Sequence, residues 1–141
     1  MDYLAPVAAA VAAWIFGAVW YVGLGKPYQR ALGLDPGASA RAGATKNDSC
    51  KGKPMPVAPL AICFVAELVM AAALSYVLAR MSVVGPVWGA MVGAIIGVGV
   101  ILPTVIVNHL FPGRSQTLMA IDGLHWVGVA VIEGAVLGAF S

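Results

Sequence analysis

The sequence predicts an all-α fold, an integral membrane bundle of four transmembrane helices, and three observations carry the prediction. Of the 141 residues, 61% are hydrophobic and only 10% charged, whereas soluble domains are about a quarter charged. The apolar residues fall in four blocks, 3–24, 57–81, 84–110 and 116–140, each long enough to cross roughly 30 Å of hydrocarbon as a helix. The basic residues are concentrated between the first two blocks. Residues 1–141 therefore read as one transmembrane domain, with a basic loop at 25–56.

Charge sets the expected orientation. Lys26, Arg30, Arg41, Lys46, Lys51 and Lys53 lie in the long loop, Arg114 lies between the third and fourth blocks, and Arg80 alone closes the second. Short loops rich in Lys and Arg stay cytoplasmic. The long loop and the Arg114 turn are thus expected inside, with both termini and the turn near Ser82 outside. A cleaved signal peptide is not expected, because only Asp2 and the terminal amine precede the first apolar run. Cys50 and Cys63 read as incidental thiols rather than a disulfide.

The first span carries Ala5, Ala9, Ala13 and Gly17 at four-residue spacing, a smooth stripe against which another helix packs closely. Trp20, Tyr21 and Tyr28 then cluster at the cytoplasmic boundary, where amphipathic aromatics prefer to sit. Residues 26–34 suit a short interfacial helix with Tyr28 and Leu32 facing the membrane and Arg30 snorkelling. From Asp35 onward the chain is dense in Gly, Pro and small polar residues, which is loop chemistry. Its sequon at Asn47 faces the cytoplasm in this topology and stays silent. Its Lys and Arg suit anionic lipid headgroups, and their dilution by Gly and Ala excludes a nucleic-acid motif.

The second span is rich in alanine and carries Glu67 inside its cytoplasmic half. The third opens on Gly85-Pro86, a proline suited to a first helical turn. Gly85, Gly89, Gly93 and Gly97 follow at strict four-residue spacing, a packing signal for helix contact within the chain or between copies. Pro103 is expected to kink this span, with Thr104 and Asn108 on one face below it. The short turn at 111–114 makes spans three and four an antiparallel hairpin. Span four repeats the small-residue device at Ala130, Gly134 and Gly138.

That last span also carries Asp122, His125 and Glu133. At about 100° per helical residue the three fall within one sector of roughly 80°, with Val129 completing the stripe. A charged side chain at mid-membrane costs about 3 kcal/mol on insertion scales, so this sector is expected to turn from lipid toward protein or water.

Several stretches resemble one family. They are W-Y-V-G-L-G-K-P-Y-Q-R-A-L-G-L at 20–34, N-H-L-F-P-G-R at 108–114, I-D-G at 121–123 and G-A-V-L-G-A-F at 134–140. Together they resemble the small bacterial membrane proteins grouped as domain of unknown function 1761, over nearly all of the chain outside 35–55. The resemblance implies a four-helix protein of the bacterial cytoplasmic (inner) membrane with no established activity. Asn108, Phe111, Gly113, Arg114 and Asp122 match the family's pattern. Glu67 and Glu133 stand where it has apolar residues, and His125 where it has an aromatic, so those three imply chemistry particular to this chain.

At the hairpin, Asp122 is expected to pair with Arg114 or a loop lysine and to pin the two helices together, a site for a substrate cation being the alternative. His109 is expected to face headgroups. Asp122 and His125 alone are a weak metal signal that needs Glu67 or His109 from other helices, so no metal or cofactor is expected. Glu67, His125 and Glu133, taken in that order of depth, suit a proton-titratable track across the membrane. Local hydrogen bonding of each group explains them equally well. No G-x-S-x-G, P-loop, H-E-x-x-H or C-x-x-C occurs, and no enzyme is expected.

Two functions suit these features. One is a small proton-coupled transporter or channel-like protein, self-associating through its glycine stripes, with any route lying between protomers. The other is a non-catalytic accessory or structural subunit of a larger membrane complex.

Overall fold

A computed structural model describes residues 3–33 and 57–141. The loop cations Arg41, Lys46, Lys51 and Lys53, with Cys50 and the Asn47 sequon, lie outside the described residues. Every regular element that is described is a helix: α1 Leu4–Gly23, α2 Gly25–Ala31, α3 Val57–Arg80, α4 Pro86–Leu110 and α5 Gln116–Ala139. α1, α3, α4 and α5 are each long and apolar enough to cross a membrane. α2 is the short helix expected after the first span.

Local chemistry ends these helices where the sequence changes. α3 closes with Ser82 in the left-handed region (φ 53), as Ser82 N–H bonds Ala79 O at 3.2 Å and Val83 N–H bonds Leu78 O at 3.0 Å. This paired bonding satisfies the last carbonyls of a helix. α4 ends the same way, with Gly113 at φ 70 and bonds from Gly113 N–H to Leu110 O and Arg114 N–H to His109 O. Ser115 then caps α5, its Oγ accepting from Leu118 N–H at 3.2 Å.

Pro103 has a subtler effect than a simple kink. Residues Gly97–Ile101 widen into one π turn, in which Leu102 N–H reaches back five residues to Gly97 O. The wider turn sits just before the proline, whose missing N–H and ring bulk disfavour an ordinary α turn there. Thr104 Oγ donates to Val100 O at 2.8 Å, so it serves its own helix.

The organising element is α5, which touches α1, α2, α3 and α4. It is the least apolar span, with a mean hydropathy of 1.5 against 2.5 for α4. A helix surrounded by protein tolerates polar residues that a lipid-facing helix does not. On one side α1 and α3 close over it, and Ala5, Ala9, Ala10, Ala71, Leu74, Leu78 and Leu137 form an apolar core. Ala13 and Gly17 continue the buried small-residue face of α1.

On the other side α4 lies against α5 at backbone distance. A Cβ on Gly89 would run into the carbonyl of Gly134, one on Gly93 into that of Ala130, and one on Gly138 into that of Gly85. Gly97 faces Val127, whose Cα lies 3.2 Å from the same hypothetical carbon. Gly85 N–H donates to Gly138 O at 2.8 Å, tying the two helix ends. The glycine faces of spans three and four therefore meet each other within the chain, one of the two contacts expected of them from sequence.

Candidate functional site

Two polar clusters lie along α5, and α1 reaches both. The first sits near the hairpin. Tyr21 O–H, at the end of α1, donates to Asp122 Oδ1 at 2.8 Å. His109 Nε2, in the last turn of α4, lies 2.9 Å from Asp122 Oδ2, and His109 Nδ1 lies 2.9 Å from Val105 O. Next to them Trp20 Nε1–H donates to Ile121 O at 3.2 Å. One carboxyl thus joins three helices. Tyr28 of α2 stands edge-on to Tyr21 with ring centroids 5.1 Å apart. Burial pushes its phenol above the usual range, the charge of Asp122 adds to this and Arg114 opposes it, so Tyr28 stays neutral.

Three expectations change here. Asp122 is held by His109 and Tyr21 rather than by Arg114, which is exposed together with Asn108. His109 turns inward instead of toward headgroups, because its ring folds back along α4 to the Val105 carbonyl. Trp20 and Tyr21 are more than boundary aromatics, since each spends its polar hydrogen on α5.

The second cluster lies deeper and contains Glu67 of α3 with His125 and Glu133 of α5. Their relative exposures are 3%, 4% and 0%. Glu67 Oε2, both ring nitrogens of His125 and both carboxyl oxygens of Glu133 have no hydrogen-bond partner among the described residues. The His125 ring is boxed by Phe16, stacked at 5.9 Å, by Tyr21 at 4.8 Å and by Trp126 at 5.1 Å. Phe16 reaches it across Gly128, where a side chain would collide with the phenyl ring at 2.7 Å.

Gly17 is the point where this cluster closes. A Cβ there would stand 2.9 Å from His125 Nε2 and 3.9 Å from Glu67 Oε1. Glu67 and His125 therefore share one level of the bundle instead of following each other in depth. Glu133 lies about 12 Å further along α5, eight residues on at the helical rise, and remains within electrostatic range of Glu67. All three groups are enclosed within a single chain, whereas the sequence reading put any polar route between protomers. Among the described residues, no group of three or more His, Cys, Asp or Glu side chains is placed to hold a metal ion.

Three membrane-length helices packed around a fourth, central one, with ionisable groups sealed inside, define a multi-pass helical membrane protein with a polar interior. Residues 4–138 match the family described as Protein of unknown function (DUF1761), and the chain belongs to that family. No curated protein and no solved structure matches the chain.

Proposed function

We propose that the protein is a small proton-coupled transporter or channel-like protein, in which Glu67, His125 and Glu133 carry protons through the interior and Asp122 serves their loop end. The observation that carries the reading is the set of five partnerless nitrogen and oxygen atoms on three side chains that are almost wholly buried. A buried polar atom left without a hydrogen bond costs about 1–3 kcal/mol. Replacing such groups by packed apolar residues is often stabilising, so stability alone gives no reason to keep them. Ionisable groups inside membrane spans characteristically mark proton and ion pathways. The same proposal sets the protein in a bacterial inner membrane with both termini outside, as the Lys and Arg asymmetry supports.

The test is proton uptake into proteoliposomes holding a pH-sensitive dye, driven by a potassium diffusion potential. The wild type is expected to acidify the lumen, and Glu67→Gln and Glu133→Gln to abolish uptake while eluting as the same folded species. A folded wild type that moves no protons under either sign of potential, or variants that keep the wild-type rate, would sink the transport reading.

A non-catalytic accessory subunit is the second reading, and one feature favours it. A groove of about 530 Å³ opens between the α3–α4 connection and α4, lined by Met81, Val84, Trp88, Met91 and Ile95 among others. Co-purification of a stoichiometric second membrane protein, lost on Trp88→Ala, is its expected signature.

A further inference from the structure

The hydrogen bonds around Asp122 locate protons directly. The Val105 carbonyl only accepts, so His109 Nδ1, 2.9 Å away, carries a hydrogen. The opposite nitrogen, Nε2, faces Asp122 Oδ2 at 2.9 Å, a hydrogen-bond separation that requires a second hydrogen between the two atoms. That hydrogen resides on Nε2, giving imidazolium beside carboxylate, or on Oδ2, giving two neutral groups. Both arrangements contain the same atoms and have no net charge. Tyr21 O–H occupies Oδ1 at 2.8 Å, so the shared proton is confined to Oδ2 and Nε2.

We infer that His109 and Asp122 form a one-proton loading site at the hairpin end of the interior route. This rests on the proton-transport reading above and adds to it a residue, His109, and a position for proton exchange. Loading transfers a proton from hydronium to the empty pair and releases water, taking the pair from a charge of −1 to zero. Unloading reverses the step. In the empty state the Nε2 lone pair faces the Oδ2 lone pairs, so the only side-chain hydrogen bond between α4 and α5 among the described residues becomes a repulsion. Loading is thereby linked to the closeness of the two helices.

Position separates this pair from the buried trio. The side chains of His109 and Asp122 retain 14% and 16% exposure, and they lie within about 9 Å of the hairpin ends of their helices at the helical rise. Tyr21 connects the two clusters, since its hydroxyl rests on Asp122 while its ring packs against His125 at 4.8 Å. The other ionisable groups nearby are Tyr28 from α2, Cys63 from α3, Arg114 from the hairpin and His125 from α5.

Ring ¹⁵N spectroscopy of the full-length, histidine-labelled protein in lipid bilayers tests the inference, with His109→Gln identifying the His109 signals. Nδ1 of His109 is expected to carry a hydrogen bonded to the Val105 carbonyl, while Nε2 is expected to show the hydrogen it shares with Asp122. Asp122→Asn is expected to remove the shared hydrogen and displace the Nε2 signal, because an amide cannot pass a proton to the ring. In proteoliposomes His109→Gln is expected to slow proton uptake by about tenfold or more, the scale of a lost proton-transfer group.

An unprotonated Nδ1, or an Nε2 signal that Asp122→Asn leaves unchanged, would overturn the loading site. So would an unchanged uptake rate in His109→Gln when the wild type conducts. If the wild type moves no protons while the His109 Nε2 signal responds to Asp122→Asn, the proton-binding pair stands and the transport reading falls.

Discussion

Glu133 has no exposed surface, and neither of its carboxyl oxygens has a partner among the described residues. Leucine occupies similar volume without stranding a polar atom. Glu133→Leu is therefore expected to raise stability by about 1–3 kcal/mol and to end proton uptake in the same preparation. Denaturant titration of the detergent-solubilised protein measures the first effect. A loss of stability would make the carboxyl a structural partner and would remove the main support for a polar route. Gly17 poses the opposite problem, one of space. An alanine methyl would stand 2.9 Å from His125 Nε2, and the imidazole has little freedom to retreat with Phe16, Tyr21 and Trp126 around it. Overpacking of this kind costs about 1–3 kcal/mol, partly offset by the better helix propensity of alanine. Gly23 on the same helix has nothing within 4 Å of a Cβ, so Gly23→Ala is expected to be neutral or to gain up to about 1 kcal/mol. Equal melting shifts for the two variants would mean that His125 does not stand against α1.

The α4–α5 pair shows what the glycines do as a set. With little hydrophobic driving force between helices in lipid, association depends on close packing. Gly85, Gly89 and Gly93 give α4 a flat face that reaches the α5 backbone, and Gly134 and Gly138 answer it. Gly93→Ala would press a methyl onto the Ala130 carbonyl and separate the helices at the middle of the contact. A cost of about 2–4 kcal/mol is expected, above the usual range for overpacking because backbone rather than a side chain must move. Gly99, in the π turn two residues after Gly97, faces open space, and Gly99→Ala is expected to leave stability within about 1 kcal/mol of wild type. Thermal unfolding of both variants in one detergent decides the matter. If Gly93→Ala melts like wild type while an oligomer dissociates, the glycine face belongs between copies instead of within the chain.

At the scale of the whole molecule, what sequence revealed follows from which forces are local. The four spans were legible because hydropathy and length act along the chain, and their ends agree with the loops to within a few residues. The polar sector of α5 was legible as a sector, because helical period alone groups Asp122, His125 and Glu133. Partners were not legible, since they depend on the register between helices. His109 illustrates this: its side chain leans toward the N-terminus of its own helix, which lifts it from the hairpin to the level of Asp122. The π turn before Pro103 shifts that register again and has no signature beyond the proline itself. Orientation rests on a force outside the fold, the retention of Lys and Arg on the cytoplasmic side, and it decides which side feeds the His109–Asp122 pair. With Cys50 and Cys63 replaced by alanine, Gln116→Cys reports the hairpin and Ser141→Cys the end of α5. A membrane-impermeant thiol reagent is expected to label Ser141→Cys in intact cells and Gln116→Cys only after permeabilisation. The reverse pattern would turn the bundle over and have the loading site take protons from outside. Labelling of both positions from one side would contradict a membrane-crossing α5, because these two positions bracket that single helix.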